Sequence, residues 1–301
     1  MRMTGEPAMA GREWLFLIAG AVLWGSAYFC NALALAELPP LTILALRLAF
    51  AVSVLIPAAL LAGLRLPVRP GDIAPFFVMT LFSNVGPYLL VLEGQKGTTS
   101  GLAAVLTATA PLFTILLAHL WTTDERLRLN KLIGVLVGIA GVAFVMGGEA
   151  WRSWDSELVA KCLVIAAAVL YAVGGIYAKR LTHYPPLVLA SSQMTCGLIV
   201  SLPLALAFDT SAFVTGVVLY IGVFGSALAA IAYFNVFKRA GATNAMLTTL
   251  LVPLTPILLG GVFLGELLST REIAGTLAIA VALVIIDGRV ARRLQVAYGR
   301  F

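Results

Sequence analysis

Long apolar runs separated by short polar links dominate the sequence of this 301-residue chain. A helix needs about 20 predominantly apolar residues to cross the hydrocarbon core of a bilayer. Ten runs approach that length and predict ten transmembrane helices. The runs cover residues 14–36, 40–62, 73–92, 98–121, 131–148, 160–178, 185–207, 211–237, 242–264 and 272–290. The links are too short for a soluble domain, so consecutive helices are expected to be antiparallel.

The composition indicates that lipid, rather than water, surrounds this chain. Hydrophobic residues make up 61% of it, charged residues make up 11%, and the mean hydropathy is +1.01. Soluble domains carry about a quarter charged residues, so this chain has too few to cover a water-facing surface. The predicted fold class is therefore an all-α polytopic membrane protein.

The distribution of cations predicts the orientation in the membrane. With ten spans and the N-terminus inside, fifteen Lys and Arg residues fall inside, four fall outside, and Arg47 lies within a span. Cytoplasmic segments carry such an excess, so both termini are expected on the cytoplasmic side of a bacterial inner membrane. The cations form no clustered patch, and no nucleic-acid partner is expected. The inside set is Arg2, Arg12, Arg65, Arg69, Arg126, Arg128, Lys131, Lys179, Arg180, Lys238, Arg239, Arg289, Arg292, Arg293 and Arg300, and the outside set is Lys96, Arg152, Lys161 and Arg271.

Short motifs recur along the chain at a nearly constant spacing. Pro39-Pro40-Leu41 is matched by Pro185-Pro186-Leu187 at an offset of 146, and Ser83 is matched by Ser226 at an offset of 143. This slowly drifting offset indicates an internal repeat of about five helices. Because five is odd, the second copy is expected to enter the membrane upside down, as in many secondary transporters.

The repeat sets the expected architecture. Inverted five-helix halves place a substrate site in a central cavity near the membrane midplane, between the two copies. The prolines within spans are expected to kink their helices, and they are Pro87, Pro111, Pro253 and Pro256. The predicted units are a cytoplasmic tail at residues 1–13, a first repeat at residues 14–150 and a second, inverted repeat with a short cytoplasmic tail at residues 151–301.

Arg47 is the one cation well inside a predicted span. It lies about seven residues beyond Pro40, roughly 10 Å along the helix axis. Its guanidinium is suited to hold a substrate carboxylate through two parallel hydrogen bonds. Alternatively it has a structural role and pairs with an acid such as Glu266 or with carbonyl groups of a neighbouring helix. No Asp or Glu lies in the middle of a predicted span, which argues against coupling to proton antiport.

Aromatic and small polar residues lie at membrane depth in both copies. Trp24 and Tyr171 hold equivalent central positions, whereas such residues usually gather at the membrane interface. Tyr28 shares a helix face with Trp24, and Asn84 and Tyr88 have the same spacing. These side chains suit a cavity lining, although Ser and Thr in spans often serve helix packing instead. The predicted substrate-binding set is Trp24, Tyr28, Asn84, Tyr88, Thr107, Tyr171, Ser226, Tyr233 and Thr248.

Other chemistries lack the residues that they require. Cys30, Cys162 and Cys196 are scattered, and His119 and His183 stand apart from any ligand-spaced partner. No metal site and no cofactor are therefore expected. The sequence also lacks a catalytic constellation, so the protein is not expected to be an enzyme, and an intramembrane enzyme stays a remote alternative.

Several motifs resemble a known transporter family. They are Trp24-Gly25-Ser26-Ala27-Tyr28-Phe29, Leu46-Arg47-Leu48, Pro253-Leu254-Thr255-Pro256 and Leu264-Gly265-Glu266. Their order and spacing resemble the EamA-type transporters of the drug/metabolite transporter superfamily, with Asp124-Glu125 where the first copy usually has Gly-Glu. Within that family the chain looks most like the YddG-type exporters of aromatic amino acids. The resemblance implies a ten-helix basket around a central cavity, with alternating access between its halves.

The expected function is export of small neutral or zwitterionic solutes, foremost aromatic and other hydrophobic amino acids. A lone Arg in the spans is too little positive charge for a typical carrier of phosphorylated solutes. A multidrug or metabolite carrier of the same fold, including one for phosphorylated metabolites, stays an alternative. The expected partners are this small-molecule substrate and the lipid bilayer, and the chain is expected to act as a monomer.

Overall fold

The computed structural model describes residues 11–121, 129–146, 155–181, 183–205, 211–240 and 248–287. All regular secondary structure within these residues is helical. The helical segments are α1 (Gly11–Ala34), α2 (Pro40–Leu61), α3 (Pro70–Gln95), α4 (Ser100–Trp121), α5 (Leu129–Met146), α6 (Ser156–Leu181), α7 (Pro186–Ser201), α8 (212–240), α9 (Thr248–Leu264) and α10 (Thr270–Asp287). Each predicted apolar run overlaps one of these helical segments, with ends that differ by several residues.

Six of the described helices are long and apolar enough to cross a membrane. They are α1, α2, α3, α4, α6 and the residues Ala212–Tyr233 of α8. Shorter apolar helices occupy Lys131–Met146, Pro186–Ser201 and Thr248–Leu264. Large apolar side chains are exposed along many segments, among them Leu15, Leu61, Leu136, Val262 and Leu277. Such surfaces are stable in lipid rather than in water, and the protein is a polytopic membrane protein.

Several helices are interrupted near prolines. Residues Leu81–Val85 of α3 form a π-helical turn just before Pro87, and a turn at residues 108–109 breaks α4 before Pro111. A similar turn breaks α9 at Pro253. Proline lacks the N–H that continues the helical ladder, which accounts for the breaks before Pro111 and at Pro253. Pro256 lies within the helical segment Leu254–Leu259, and the predicted kinks at Pro87 and Pro256 stay predictions. A second π-helical turn, Val223–Leu228 of α8, forms without a proline.

The two halves of the chain are interleaved. The main helix pairs join the halves: α5 packs on α10, α2 on α7, α3 on α6 and α1 on α8. Exchanging the halves turns the α1–α8 pair into the α6–α3 pair and leaves the α2–α7 and α5–α10 pairs unchanged. The packing therefore follows the two-fold relation that the sequence repeat predicts. The largest buried apolar cluster lies among α2, α3, α7 and α8.

One cation is buried near a helix end. Lys161, one of the cations assigned to the outside from the sequence, lies within α6 with 2% of its surface exposed. Its Nζ forms ion pairs with Glu157 on the same helix and, at 3.3 Å, with Glu272 of α10. It also lies 3.5 Å from the Val145 carbonyl oxygen of α5. A buried charge needs such partners, and this one joins three helices.

Candidate functional site

Arg47 lies on α2 where α8 comes closest to it. The Arg47 Nε donates a hydrogen bond to Ser226 Oγ, and Ser226 donates in turn to the Ile221 carbonyl oxygen at 2.9 Å. This approach depends on Gly222, because a Cβ there would lie 2.7 Å from the Arg47 carbonyl oxygen. The π-helical turn of α8 carries Ser226 and brings its hydroxyl to the guanidinium. Arg47 and Ser226, both in the sequence-based set, therefore lie together.

Tyr88 extends this contact into a chain of hydrogen bonds. The Arg47 guanidinium carbon lies 3.7 Å from the centroid of the Tyr88 ring, in cation–π geometry. The Tyr88 hydroxyl donates to Asn31 Oδ1 at 2.7 Å, and Asn31 Nδ2 donates to Gln95 Oε1 at 3.1 Å. Gln95 Nε2 then donates to the Tyr28 carbonyl oxygen at 2.8 Å. This series of side-chain contacts links helices α1, α2, α3 and α8.

Two donors beside Tyr88 have no hydrogen-bond partner among the described residues. They are Arg47 Nη1 and Asn84 Nδ2, and both side chains are at least nine-tenths buried. Asn84 lies one turn before Tyr88 on the same helix, in the π-helical turn of α3. A buried donor left unpaired costs about 1–3 kcal/mol, so such groups are rare unless a ligand or water uses them. Arg47 packs on the Tyr88 ring and Asn84 precedes Tyr88 on the same helix, so both unpaired donors belong to the surroundings of Tyr88.

The predicted tyrosines surround the same place. The hydroxyls of Tyr28, Tyr88 and Tyr171 lie close enough to interact electrostatically with one another and with Arg47. Thr107 forms a hydrogen bond with Tyr28. The predicted residues of α1, α3, α4 and α6 thus lie near one another around Tyr28.

The aromatic pair of Trp24 and Tyr233 forms a second part of the set. Their ring centroids lie 5.1 Å apart at an interplanar angle of 43°. Tyr28, Tyr171 and Tyr233 are each half-buried.

Thr248 is the first residue of α9. Its fully buried side chain approaches Gly20, one turn before Trp24, and its hydroxyl has no hydrogen-bond partner among the described residues. The structure places it against α1 and shows no contact with the Arg47 cluster.

A separate cavity of about 500 Å³ lies between α1, α8 and α9. It is lined by Ser26, Phe29, Cys30, Ala212, Phe213, Gly216, Val217, Tyr220 and Leu259. None of the predicted substrate-binding residues lines it. Its two hydroxyls, those of Ser26 and Tyr220, hydrogen-bond to each other at 2.9 Å, so they offer little to a polar ligand.

The expected Arg47–Glu266 pair is wrong. The Glu266 carboxylate accepts hydrogen bonds from Ser100, whereas Arg47 is held by Ser226 and Tyr88. Sequence reasoning also missed two members of the site. Asn31 lies seven residues after Trp24, on the same face of α1, and that spacing was a usable signal. Gln95 gave no such signal, because it lies beyond the end of the predicted third span.

The described part of the chain brings no three His, Cys, Asp or Glu side chains together as metal ligands would be. The site is instead a set of hydrogen-bond donors, hydroxyls and aromatic rings around a single guanidinium. Such a set binds and orients a solute by hydrogen bonds and ring contacts.

The profile of the EamA-like transporter family matches this chain twice, at residues 12–147 and 158–287. The chain belongs to the EamA-like transporter family. The two matches also confirm the internal repeat. Arg47, Asn84 and Tyr88 of this EamA-like protein lie in the first copy, and Tyr171, Ser226 and Tyr233 lie in the second, so the site draws on both.

Several relatives of this EamA-like protein are named as uncharacterized transporters. An uncharacterized transporter of Archaeoglobus fulgidus is 24% identical over 91% of this chain and 98% of its own length. The uncharacterized inner membrane transporter YedA of Escherichia coli K12 is 27% identical over 89% of each chain. Protein PagO of Salmonella typhimurium is 26% identical over 94% of each chain.

A solved crystal structure shows the same fold. It superimposes on this EamA-like protein with a TM-score of 0.69 at 19% sequence identity, over 95% of this chain and 100% of the other. The family profile confirms the EamA-type resemblance of the sequence, while the YddG-type assignment within the family stays a prediction.

Proposed function

We propose that this protein exports small zwitterionic solutes, foremost aromatic and other hydrophobic amino acids, by alternating access at the Arg47 site. The observation that carries the proposal is the pair of buried, unpaired donors beside Tyr88, namely Arg47 Nη1 and Asn84 Nδ2. A carboxylate presents two oxygens to such donors and removes the cost of leaving them unpaired. A neutral drug-like solute with no acceptor pair leaves them unsatisfied.

The aromatic residues favour a flat or apolar substrate side chain. Trp24 and Tyr233 pack against each other, and Tyr28 and Tyr171 keep accessible surface near the guanidinium. Aromatic faces stack on planar rings and also attract an ammonium group. In this binding mode the substrate carboxylate lies at Arg47, its ammonium lies among tyrosine rings and hydroxyls, and its side chain lies towards Trp24.

The proposed topology has ten spans in two inverted halves, at residues 14–150 and 151–301, with both termini in the cytoplasm of a bacterial cell. In addition to the six long helices, α5, α7, α9 and α10 would cross the membrane. Their packing supports this, because α5 pairs with α10, α7 with α2, and α9 with α4. A single chain of this kind encloses its own site, so the proposed unit is a monomer.

Efflux from liposomes tests the function. Purified protein is reconstituted into vesicles loaded with labelled tryptophan, with threonine and a sugar phosphate as comparison solutes and protein-free vesicles as the control. We expect tryptophan efflux that Asn84→Ala reduces about tenfold or more, because one carboxylate contact is lost. Asn235→Ala is the matched control, since the Asn235 amide bonds to the Ile231 carbonyl of its own helix at 2.8 Å.

The comparison solutes separate the alternatives. Efflux of the sugar phosphate without tryptophan would contradict the amino-acid proposal and favour a carrier of phosphorylated metabolites. If the vesicles release neither tryptophan nor the sugar phosphate but the protein exports cationic dyes, a multidrug carrier would be favoured. Equal tryptophan efflux by the wild type and by Asn84→Ala would remove the site from the pathway.

A further inference from the structure

The carboxylate of Glu266 reaches from the second half of the chain to the first. Glu266 follows α9, and its Oε2 accepts hydrogen bonds from the Ser100 backbone N–H at 2.9 Å and from Ser100 Oγ at 2.6 Å. Ser100 is the first residue of α4 and is fully buried. Glu266 therefore satisfies donors at the start of a helix that belongs to the other half.

The chain around Glu266 is shaped for this contact. Gly265 adopts a left-handed conformation with φ of 66°, which ends α9 and turns the chain. The Glu266 N–H then donates to the Gly260 carbonyl oxygen at 3.0 Å. A Cβ at Gly260 would lie 2.9 Å from Ser100 Oγ and closer still to the Glu266 carboxylate. Glycine at position 260 leaves room for the Glu266 side chain to reach Ser100.

The backbones of α4 and α9 also meet at this end of the molecule. A Cβ on Gly101 would lie 3.1 Å from the Cα of Ile257, so a larger residue would push the two helices apart. By the repeat, α4 and α9 are equivalent helices from the two halves. Their contact lies at the face of the molecule where α4 begins and α9 ends.

A second contact of the same chemistry lies at the corresponding ends of other helices. Glu37, on the link between α1 and α2, accepts from the Ser211 N–H and from Ser211 Oγ, each at 2.8 Å. Ser211 caps α8, so this contact also joins the first half to the second. Both of its residues are exposed, whereas Ser100 is buried, and water competes more strongly for the Glu37 contact.

We infer that Glu266 and Ser100 form a latch that holds this face of the transporter closed, with the Glu37–Ser211 contact as a weaker second fastening. Passage of a solute through this face separates the start of α4 from the end of α9 and breaks both Glu266 hydrogen bonds. The inference rests on the alternating access of the proposed function, but it does not depend on which solute is carried. It gives Glu266 of the Gly265-Glu266 motif a role in closing the molecule.

Spin-label distances test the latch without any substrate. Labels are placed on Lys96→Cys and Leu267→Cys, two exposed links that flank the contact, in a background with the three native cysteines replaced by alanine. We expect Glu266→Gln to raise the ratio of long to short distances about tenfold or more, because it weakens two hydrogen bonds to a charged acceptor. Ser100→Ala, which loses one of the two, should give a smaller shift in the same direction.

The matched control is Ser269→Ala. Ser269 makes the same pair of hydrogen bonds to Glu272, but within the first turn of α10 rather than between halves. The Ser269→Ala variant should leave the distances between the two spin labels unchanged. Distances that are the same in wild type, Glu266→Gln and Ser100→Ala would overturn the latch and make the contact a fixed helix cap.

A cross-link gives a second readout that involves transport. The pair Ser100→Cys and Glu266→Cys is oxidised in vesicles, and we expect solute efflux to stop and to return on reduction. Undiminished efflux by the cross-linked protein would contradict the latch. Failure of the reduced protein to move any amino acid, with distances still shifted in Glu266→Gln, would instead count against the proposed substrate and leave the latch standing.

Discussion

At the scale of single residues, Arg47 meets three demands that a lysine does not. Its Nε bonds to Ser226, its planar face lies on Tyr88, and its Nη1 remains for a ligand. A lysine ammonium is a point charge on a flexible stem and does not reproduce this fork. The guanidinium thus has a structural role, and in the proposed function it would also bind the substrate, so the two alternatives that the sequence left open would be combined.

The prediction for this residue is that charge alone does not suffice. Arg47→Lys should lower the rate of tryptophan efflux about tenfold or more, and Arg47→Gln should lower it further, because the carboxylate loses its paired donors. The measurement is initial efflux against internal tryptophan concentration in vesicles of equal protein content. Arg180→Gln is the control, since Arg180 makes an exposed cation–π contact with Tyr177 away from the site. An Arg47→Gln rate equal to that of Arg180→Gln would contradict the role.

The sequence predicted most members of the site but not their partners. Trp24, Tyr28 and Tyr171 could be found because aromatic residues at membrane depth are unusual. The partner of Arg47 could not be found in this way, because Ser226 and Glu266 are both plausible until the helices are packed. Asn31 and Gln95 complete a chain of side-chain contacts whose order depends on rotamers.

At the scale of helices, close packing of α5 on α10 depends on glycines. A Cβ at Gly275 would lie 2.8 Å from the Gly141 carbonyl oxygen, and one at Gly141 would lie 3.0 Å from the Gly275 carbonyl oxygen. Small residues allow such approach in membranes, where packing and not water drives helices together.

Substitution of Gly275 by valine should therefore destabilise the protein. The added side chain forces the two helices apart, and we expect a loss of about 1–3 kcal/mol in the free energy of unfolding. Gly175→Val is the matched control, because a Cβ at that exposed position of α6 meets nothing within 4 Å. Thermal unfolding in detergent compares the two variants, and equal midpoints would refute the packing account.

Helix positions followed from the sequence because membrane thickness sets the length of each apolar run. The turns at Pro111 and Pro253 followed from proline chemistry. The π-helical turn of α8 did not follow, because it contains no proline and leaves the apolar pattern intact. Its position is stabilised by tertiary contacts such as the one between Ser226 and Arg47.

At the scale of the whole molecule, Lys161 ties three helices together at one end of the bundle. Replacing both acids should lower the free energy of unfolding more than replacing the lysine does. Glu157→Gln with Glu272→Gln leaves a buried ammonium without a counter-charge, which costs about 3–5 kcal/mol. Lys161→Met replaces the stem with an apolar one and leaves Glu157 exposed and Glu272 bonded to Ser269, so its cost should be smaller.

Unfolding midpoints in detergent measure this order directly. The single variant Glu157→Gln keeps the ion pair between Lys161 and Glu272, so its unfolding midpoint should be close to that of the wild type. A Lys161→Met protein less stable than the double glutamine variant would show that the ammonium contributes through something other than these two acids.

The duplicated architecture was readable from the sequence, while the pairing of helices was not. Drifting offsets between motifs reveal a repeat because insertions accumulate slowly, and the family profile matches both copies. Which helix packs on which depends on the shape of whole surfaces. The exchange of partners between halves, α1 with α8 and α6 with α3, therefore emerged with the structure.

The π-helical turns of α3 and α8 bear on the ancestry of the chain. A π-helical turn holds one residue more than the α-helical turn that it replaces, as a single inserted codon would produce. Leu81–Val85 lies 143 residues before the last five residues of Val223–Leu228, the same offset that relates Ser83 to Ser226. The two turns therefore fall at equivalent positions of the repeat, as expected if a single inserted residue was already present before the duplication.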